Sequence, residues 1–151
     1  MGSNQRGEVP RFLVIAIQTC LAAHGDQVDK GGKPYFLHPL RVMAALGPNE
    51  DPEVQAAAVL HDVVEDTGLS LADLEVAMPP RTVELVSLLT HPSGEEYLAY
   101  VRRIRDCGDD GAKRIKRADL ADNMRPDRWK PGMKKNLVYL HALAILDGRE
   151  Q

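Results

Sequence analysis

The sequence predicts an all-α fold, a single domain of about seven to nine helices, and three observations carry that prediction. Apolar residues make up 44% of the chain and aromatics only 5%. The core must therefore be built from Leu, Val, Ala, Ile and Met, which favours helices over a β-sandwich, whose strands want Val, Ile, Thr and aromatics. Apolar stretches of helical length are bounded by glycine stops and by Asp, Ser or Pro starts. No stretch alternates as a half-buried strand does, and neither a repeat nor a linker is visible. At 151 residues the chain is long enough for one real core and too short for two domains of ordinary size.

Each element has its own punctuation. Residues 1–10, MGSNQRGEVP, read as a flexible N-terminus ahead of Phe12–Ala23 (FLVIAIQTCLAA), an apolar helix that closes at His24-Gly25. Asp26–Tyr35 (DQVDKGGKPY) is a polar loop. Pro39–Leu46 is a short helix with proline in its first turn, ended by Gly47-Pro48. Asp51 and Pro52 supply an N-cap and a first-turn proline for a helix continuing to Asp66, with Gly68 beyond it. Ser70 and Asp73 form a capping box with Asp in place of the usual Glu. Pro79-Pro80 separates the helix that follows from Thr82–Thr90. Glu95–Cys107 is amphipathic and stops at Gly108, and Ala112–Met124 precedes a loop around Pro126 and Pro131. Met133–Leu146 closes the fold before Gly148.

Charge and hydropathy exclude several classes. With 19 basic and 22 acidic side chains the net charge is -3, unlike the electrostatic footprint of a nucleic-acid binder. No apolar run approaches the roughly 20 residues that span a bilayer. The N-terminus has no apolar middle of the signal-peptide kind. The expectation is a cytoplasmic protein with neither a nucleic-acid nor a membrane partner. Cys20 and Cys107 are expected to be reduced and partly buried.

Chemistry concentrates in AAAVLHDVVEDTG, residues 56–68. On one continuous helix His61 would lie over Glu65 and Asp62 over Asp66. Neutral imidazole with carboxylates is a ligand set for Mn, Fe, Zn or Mg. His38, in PYFLHPL, and Asp119, in KRADLADN, complete a two-His, two-Asp set from three separate helices. Such a set leaves coordination positions open for water and substrate, the mark of a catalytic site. Taken alone, the His61-Asp62 pair reads as a helix-end polar cluster. Asp122 reads as a solvated helix residue, His24 as structural, His91 as a loop histidine and His141 as a packed one. Arg102, Arg103 and Arg105 read as the wet face of their helix, and Tyr35 as packing against the helices of the site.

PYFLHPLRV, AAAVLHDVVEDT and IKRADLADNM together resemble the H…HD…D pattern of the HD-domain metal-dependent phosphohydrolases. More closely, they resemble the hydrolase domain of the RelA/SpoT family and its stand-alone small alarmone hydrolases, from Val14 to Met124. The resemblance implies one HD-type helical domain over residues 1–151, with a divalent metal held by His38, His61, Asp62 and Asp119. The usual ion is manganese, with Mg, Fe and Zn as alternatives. Glu65 and Asp66 would orient or deprotonate the attacking water, and Lys30 and Asn123 would contact substrate. The implied reaction removes the 3′-pyrophosphate of (p)ppGpp, giving GDP or GTP and pyrophosphate. A small-molecule nucleotide is thus the expected partner, and a homo-oligomer is left open. No residues remain for a synthetase domain, so degradation alone is expected.

The chain departs from that family at two places. An arginine usually precedes the lysine of the glycine-rich turn; here Asp29 stands before Lys30, and a carboxylate cannot stack as a guanidinium plane does. The last motif reads Ala118-Asp119-Leu120-Ala121-Asp122-Asn123, with Pro126 close behind. Asp29 keeps a second reading open, an HD phosphohydrolase of another nucleotide or phosphorylated metabolite, such as a 5′-nucleotidase. A non-catalytic nucleotide-binding module is the third, and the presence of all the implied ligands and acids argues against it.

Overall fold

Alanine makes the centre of this fold. In the computed structural model, which describes residues 7–128 and 134–150, the helices are α1 (Arg11–His24), α2 (Leu37–Ala45), α3 (Pro52–Leu60), α4 (Val63–Asp66), α5 (Leu71–Glu75), α6 (Pro80–Leu89), α7 (Tyr97–Asp106), α8 (Asp110–Asn123) and α9 (Lys135–Leu146). Val54 and every residue from Ala56 to Leu60 are fully buried. Small side chains on all sides of α3 let α1, α2, α6 and α8 pack around it. Its start is set by Asp51, whose Oδ1 accepts the Glu53 N–H at 2.8 Å, with Pro52 in the first turn. The start of α8 also comes close to α3. A Cβ at Gly111 would lie 3.0 Å from Val54 Cγ2, so only glycine fits there without displacement.

The all-α expectation holds. Among the described residues the sole β feature is an isolated antiparallel bridge between Val28 and Pro34. It tightens the polar 26–35 loop into a hairpin-like turn, with Asp29 N–H on Lys33 O and Tyr35 N–H on Gln27 O, both at 2.8 Å. The Ser70–Asp73 capping box is formed in full. Helix α2 starts two residues before Pro39, which falls within the first turn, where a missing N–H costs nothing. Pro131, Met133 and residues 1–6 lie outside the described residues.

One element differs in a way that matters. The helix expected to run from Pro52 to Asp66 is broken at His61 and Asp62. His61 N–H reaches back to Ala58 O, three residues away, and Asp62 sits at φ −103°, ψ −4°. That sparsely populated region is one where active-site residues are found.

No helix among the described residues is long and apolar enough to cross a membrane. Both cysteines are free; burial, then the charge of Asp62, pushes the Cys20 thiol up to about 12. The three arginines of α7 are all paired, with Glu150, Glu95 and Asp106. His141 corrects an expectation. It is exposed rather than packed, with its ring 3.8 Å from Glu150.

Candidate active site

The break in the helix brings two neighbouring side chains to one point. A continuous helix would splay His61 and Asp62 by about 100°. Ending α3 at Leu60 lets His61 Nε2 and Asp62 Oδ2 lie 3.1 Å apart. Helix α2 packs on both α3 and α8, which delivers His38 and Asp119 to the same place. His38 Nε2 lies 3.0 Å from Asp119 Oδ1 and 3.5 Å from Asp62 Oδ2, while His61 Nε2 lies 3.3 Å from Asp119 Oδ1. His38 and His61 are only 2% and 3% exposed.

The outer nitrogens of both rings are tied down. His61 Nδ1 lies 2.6 Å from the carbonyl of Ala58, to which it can only donate. His38 Nδ1 lies 2.6 Å from Asp122 Oδ2. Each imidazole therefore turns Nε2 toward the carboxylates, the arrangement in which a backbone carbonyl or second carboxylate orients a ligating histidine. Among the described residues His61 Nε2, like His24 Nε2, is buried without a hydrogen-bond partner, but at His61 two carboxylate oxygens stand within 3.3 Å. An orphaned buried nitrogen among acidic oxygens calls for a cation between them. His38, His61 and Asp62 offer ligand atoms all within 4.8 Å of one another. The donor set fits a divalent ion.

The surroundings hold the carboxylates in place. Tyr35 donates its hydroxyl to Asp62 Oδ2 at 2.6 Å. Lys116, 6% exposed and lying over the Tyr97 and Tyr100 rings, grips Asp119 Oδ2 at 2.8 Å. Asn123 donates to Asp119 Oδ1 at 3.2 Å. Asp122 accepts Arg41 Nε at 2.7 Å and an Arg128 guanidinium N–H at 3.1 Å. Burial works against the charges of Asp62, Lys116, Asp119 and Asp122. The His61 ring overcomes it at Asp62, whose carboxyl falls to about 2. Lys116, His38 and His61 overcome it at Asp119, which falls well below the usual range. Burial likewise opposes charge on His61, but Asp62 and Asp119 outweigh it and raise its pKa, so a metal ion entering here displaces protons.

Glu65 and Asp66 stand at the rim of an open cavity of about 660 Å³ whose lining includes His38, Asp62 and Asp119. Both carboxyls are pushed up, Glu65 by burial and the charges of Asp62 and Asp66, Asp66 by burial and Asp62. Glu65 Oε1 accepts the His91 backbone N–H, which orients it. A carboxyl raised in the folded state favours folding below its unfolded pKa and loses that advantage as pH rises through the folded value. The Glu65 charge therefore works against the fold at neutral pH. Glu65→Gln should raise the melting temperature of the metal-free protein there by a few degrees at most. The gain should vanish below about pH 4, near the model-peptide value; a thermal scan at both pH values checks it.

The sequence pattern of the HD domain matches residues 16–125, a stretch containing all four of the clustered His and Asp residues. The chain belongs to the HD domain family. Among its relatives is the guanosine-3′,5′-bis(diphosphate) 3′-pyrophosphohydrolase MESH1 of Danio rerio, 32% identical over 114 residues, which cover 67% of this chain and 63% of that protein. Another is a probable guanosine-3′,5′-bis(diphosphate) 3′-pyrophosphohydrolase of Mycoplasma pneumoniae, 34% identical over 89 residues, 58% of this chain and 12% of that one. The bifunctional (p)ppGpp synthase/hydrolase SpoT of Escherichia coli is 40% identical over 65 residues, 42% of this chain and 9% of that one. This HD domain thus spans about a tenth of the length of the first curated relatives it matches. A solved structure described as "A metazoan ortholog of SpoT hydrolyzes ppGpp and plays a role in starvation responses" superposes with a TM-score of 0.77 at 28% identity, covering 95% of this chain and 90% of that one.

Within the HD domain, His38, His61, Asp62 and Asp119 come together, with Glu65 and Asp66 beside them. Lys30 and Asn123 line the same cavity, but the Asn123 amide is already engaged by Asp119 and Arg128. Asp122 corrects the sequence reading. It is buried, and binds His38 and two arginines instead of water. Lys116, Arg41 and Arg128 were not foreseen as supports of the site. Lys116, Asp119 and Asp122 recur every third residue on α8, a spacing that places them on one face and could have flagged the cluster. Nothing local marks Arg128.

Proposed function

We propose that this HD domain is a divalent-metal-dependent phosphohydrolase that removes the 3′-pyrophosphate of (p)ppGpp, with manganese as its ion. The observation that carries the reading is the buried His61 Nε2, unpartnered among the described residues, facing oxygens of two carboxylates that line one cavity with two upward-shifted carboxyls. The resemblance in fold and sequence to proteins named for ppGpp hydrolysis supports the choice of substrate.

His38, His61, Asp62 and Asp119 would hold the ion. When bound, it supplies Lewis-acid stabilisation of phosphoryl oxygens and makes water a competent nucleophile near neutral pH. The chain does the rest. Glu65, oriented by the His91 N–H, accepts the proton of the attacking water, and a raised carboxyl pKa makes it a stronger base than an ordinary glutamate. Asp66, one residue on, orients that water, and Gln27 steadies its backbone carbonyl at 2.9 Å. Lys116 offsets the charge of Asp119, so the centre does not repel an approaching diphosphate as two free carboxylates would. At the far side of the cavity the Lys30 ammonium feels that of Lys135, which lowers its pKa, and the pair offers a landing for phosphate.

A second reading, a hydrolase of another nucleotide, has one observation in its favour, the Asp29 carboxylate in the adjoining pocket. Turnover of ppGpp beside a panel of 5′-nucleotides by manganese-loaded protein, with products identified, separates the two. Pyrophosphate and GDP from ppGpp are expected. Release of inorganic phosphate from a 5′-nucleotide with ppGpp untouched would replace this reading with the second.

A further inference from the structure

The chain leaves α6 at Thr90 in an extended conformation, with ψ 119°, so the next N–H, that of His91, is released from the helical ladder. Among the described residues it is this N–H that makes the one hydrogen bond to the Glu65 carboxylate. Glu65 itself is exposed and stands on α4, a helix of a single turn. A long side chain on so short a helix samples several rotamers unless something outside the helix holds it. The placing of Glu65 therefore depends on how firmly the His91 N–H is held.

The hold comes from the His91 side chain. Glu95 N–H reaches back to Pro92 O at 3.3 Å, and Gly94 supplies the positive φ of 88° that this turn requires. The His91 ring closes the turn from its other side, with Nε2 2.7 Å from Glu95 O. A carbonyl oxygen only accepts, so Nε2 carries a proton and donates it. The ring is also clamped by aromatics, tilted on Tyr100 at 4.8 Å and edge-on to Tyr97 at 5.8 Å. Tyr100 is buried and donates its hydroxyl to Leu89 O, which ties this clamp to the end of α6. Glu95 is fixed in turn by Arg103, which takes its two carboxylate oxygens at 3.2 Å each. The His91 ring and Glu65 border one small cavity of about 100 Å³, beside His61 and Lys116.

We propose that His91 is a positioning residue for Glu65: its imidazole closes the 91–95 turn, and the closed turn holds the His91 N–H against the Glu65 carboxylate. The inference deepens the phosphohydrolase reading and rests on it for the role of Glu65. His91 acts through its own backbone amide, so its loss should cost turnover without touching the affinity for substrate or metal.

The test compares wild type with His91→Phe, which keeps a ring on Tyr97 and Tyr100 but has no donor, and with His91→Gln, whose amide can donate as Nε2 does. Turnover of ppGpp and of a panel of 5′-nucleotides by manganese-loaded protein is measured, together with hydrogen exchange of the residue-91 amide in metal-free protein. In His91→Phe, kcat should fall roughly 10- to 100-fold with KM and bound manganese unchanged, the cost of a misplaced base. His91→Gln should restore most of it. Placed on Glu65→Gln, His91→Phe should lower the residual turnover by less than about 2-fold, because residues that act as one unit are not additive. The residue-91 amide should exchange roughly 10-fold faster in His91→Phe and in Glu65→Ala than in wild type or His91→Gln. Thermal denaturation confirms each fold, and His91→Leu serves if the phenylalanine variant does not fold. An undiminished kcat in the folded variant, a full additional loss on Glu65→Gln, or a glutamine variant as impaired as the phenylalanine one overturns the inference. If ppGpp is hydrolysed in a Glu65-dependent way that ignores His91, the hydrolase reading stands and the inference falls. If nothing is turned over, the exchange rates decide: the expected pattern keeps the His91 tie while the hydrolase reading fails, and equal rates in all variants overturn the tie as well.

Discussion

Glu65→Gln should abolish turnover while leaving metal content unchanged. Glutamine keeps the length of the side chain and can still accept the His91 N–H, but it cannot take a proton from water. Loss of a general base costs about 10²- to 10⁴-fold in kcat. Glu65 stands at the rim instead of among the clustered ligand atoms, so the variant should bind the same amount of metal as wild type. The pH profile carries the same signature. In wild type the acid limb of kcat/KM should lie above the ordinary carboxylate range, because burial and the charges of Asp62 and Asp66 raise Glu65 and only its deprotonated form accepts the proton. In the variant that limb should disappear from whatever activity is left. Steady-state rates with metal analysis decide it: a fully active Glu65→Gln enzyme would remove the residue from its role.

His61→Ala should lose metal and activity together, and the fold should also suffer. The substitution deletes one of the two ring nitrogens, His24 Nε2 being the other, that are buried without a hydrogen-bond partner among the described residues. It also leaves Asp62 and Asp119 with only one, His38, of the two imidazoles that now compensate them. Removing one member of a buried charged set typically costs about 3–5 kcal/mol. Metal affinity should fall by well over the roughly 10- to 100-fold that losing even an indirect support costs. Bound metal per chain and turnover, measured on the same preparation, check the prediction. A metal-replete and active His61→Ala protein would rule out the site as drawn.

The clustered His and Asp residues and the two acids beside them were legible because short polar residues stood where a helix facing a core has no use for them. Their support was not. Asp122 looked solvated because its partners His38, Arg41 and Arg128 come from α2 and from the turn after α8. No local rule reports a contact made across the fold. The break at His61 was hidden for a different reason. AAAVLHDVV is a good helical sequence, and tertiary demand overrides propensity when two adjacent side chains must converge on one point. The orientation of α9 was equally opaque. A helix apolar on every side does not say which face goes inward, and here Leu137 and Leu140 are left 73% and 56% exposed and His141 goes out with them. The capping box and the glycine stops were readable because their chemistry is local.

The function proposed for this HD domain depends on the cluster around His61 being a metal centre. The most direct measurement is titration of manganese into metal-free protein, followed by the loss of the free-ion paramagnetic resonance signal. One ion bound per chain in wild type, with proton release on binding and no comparable site in His61→Ala, is the predicted result. Wild-type protein that binds no stoichiometric ion, or that binds one equally well without His61, would contradict it.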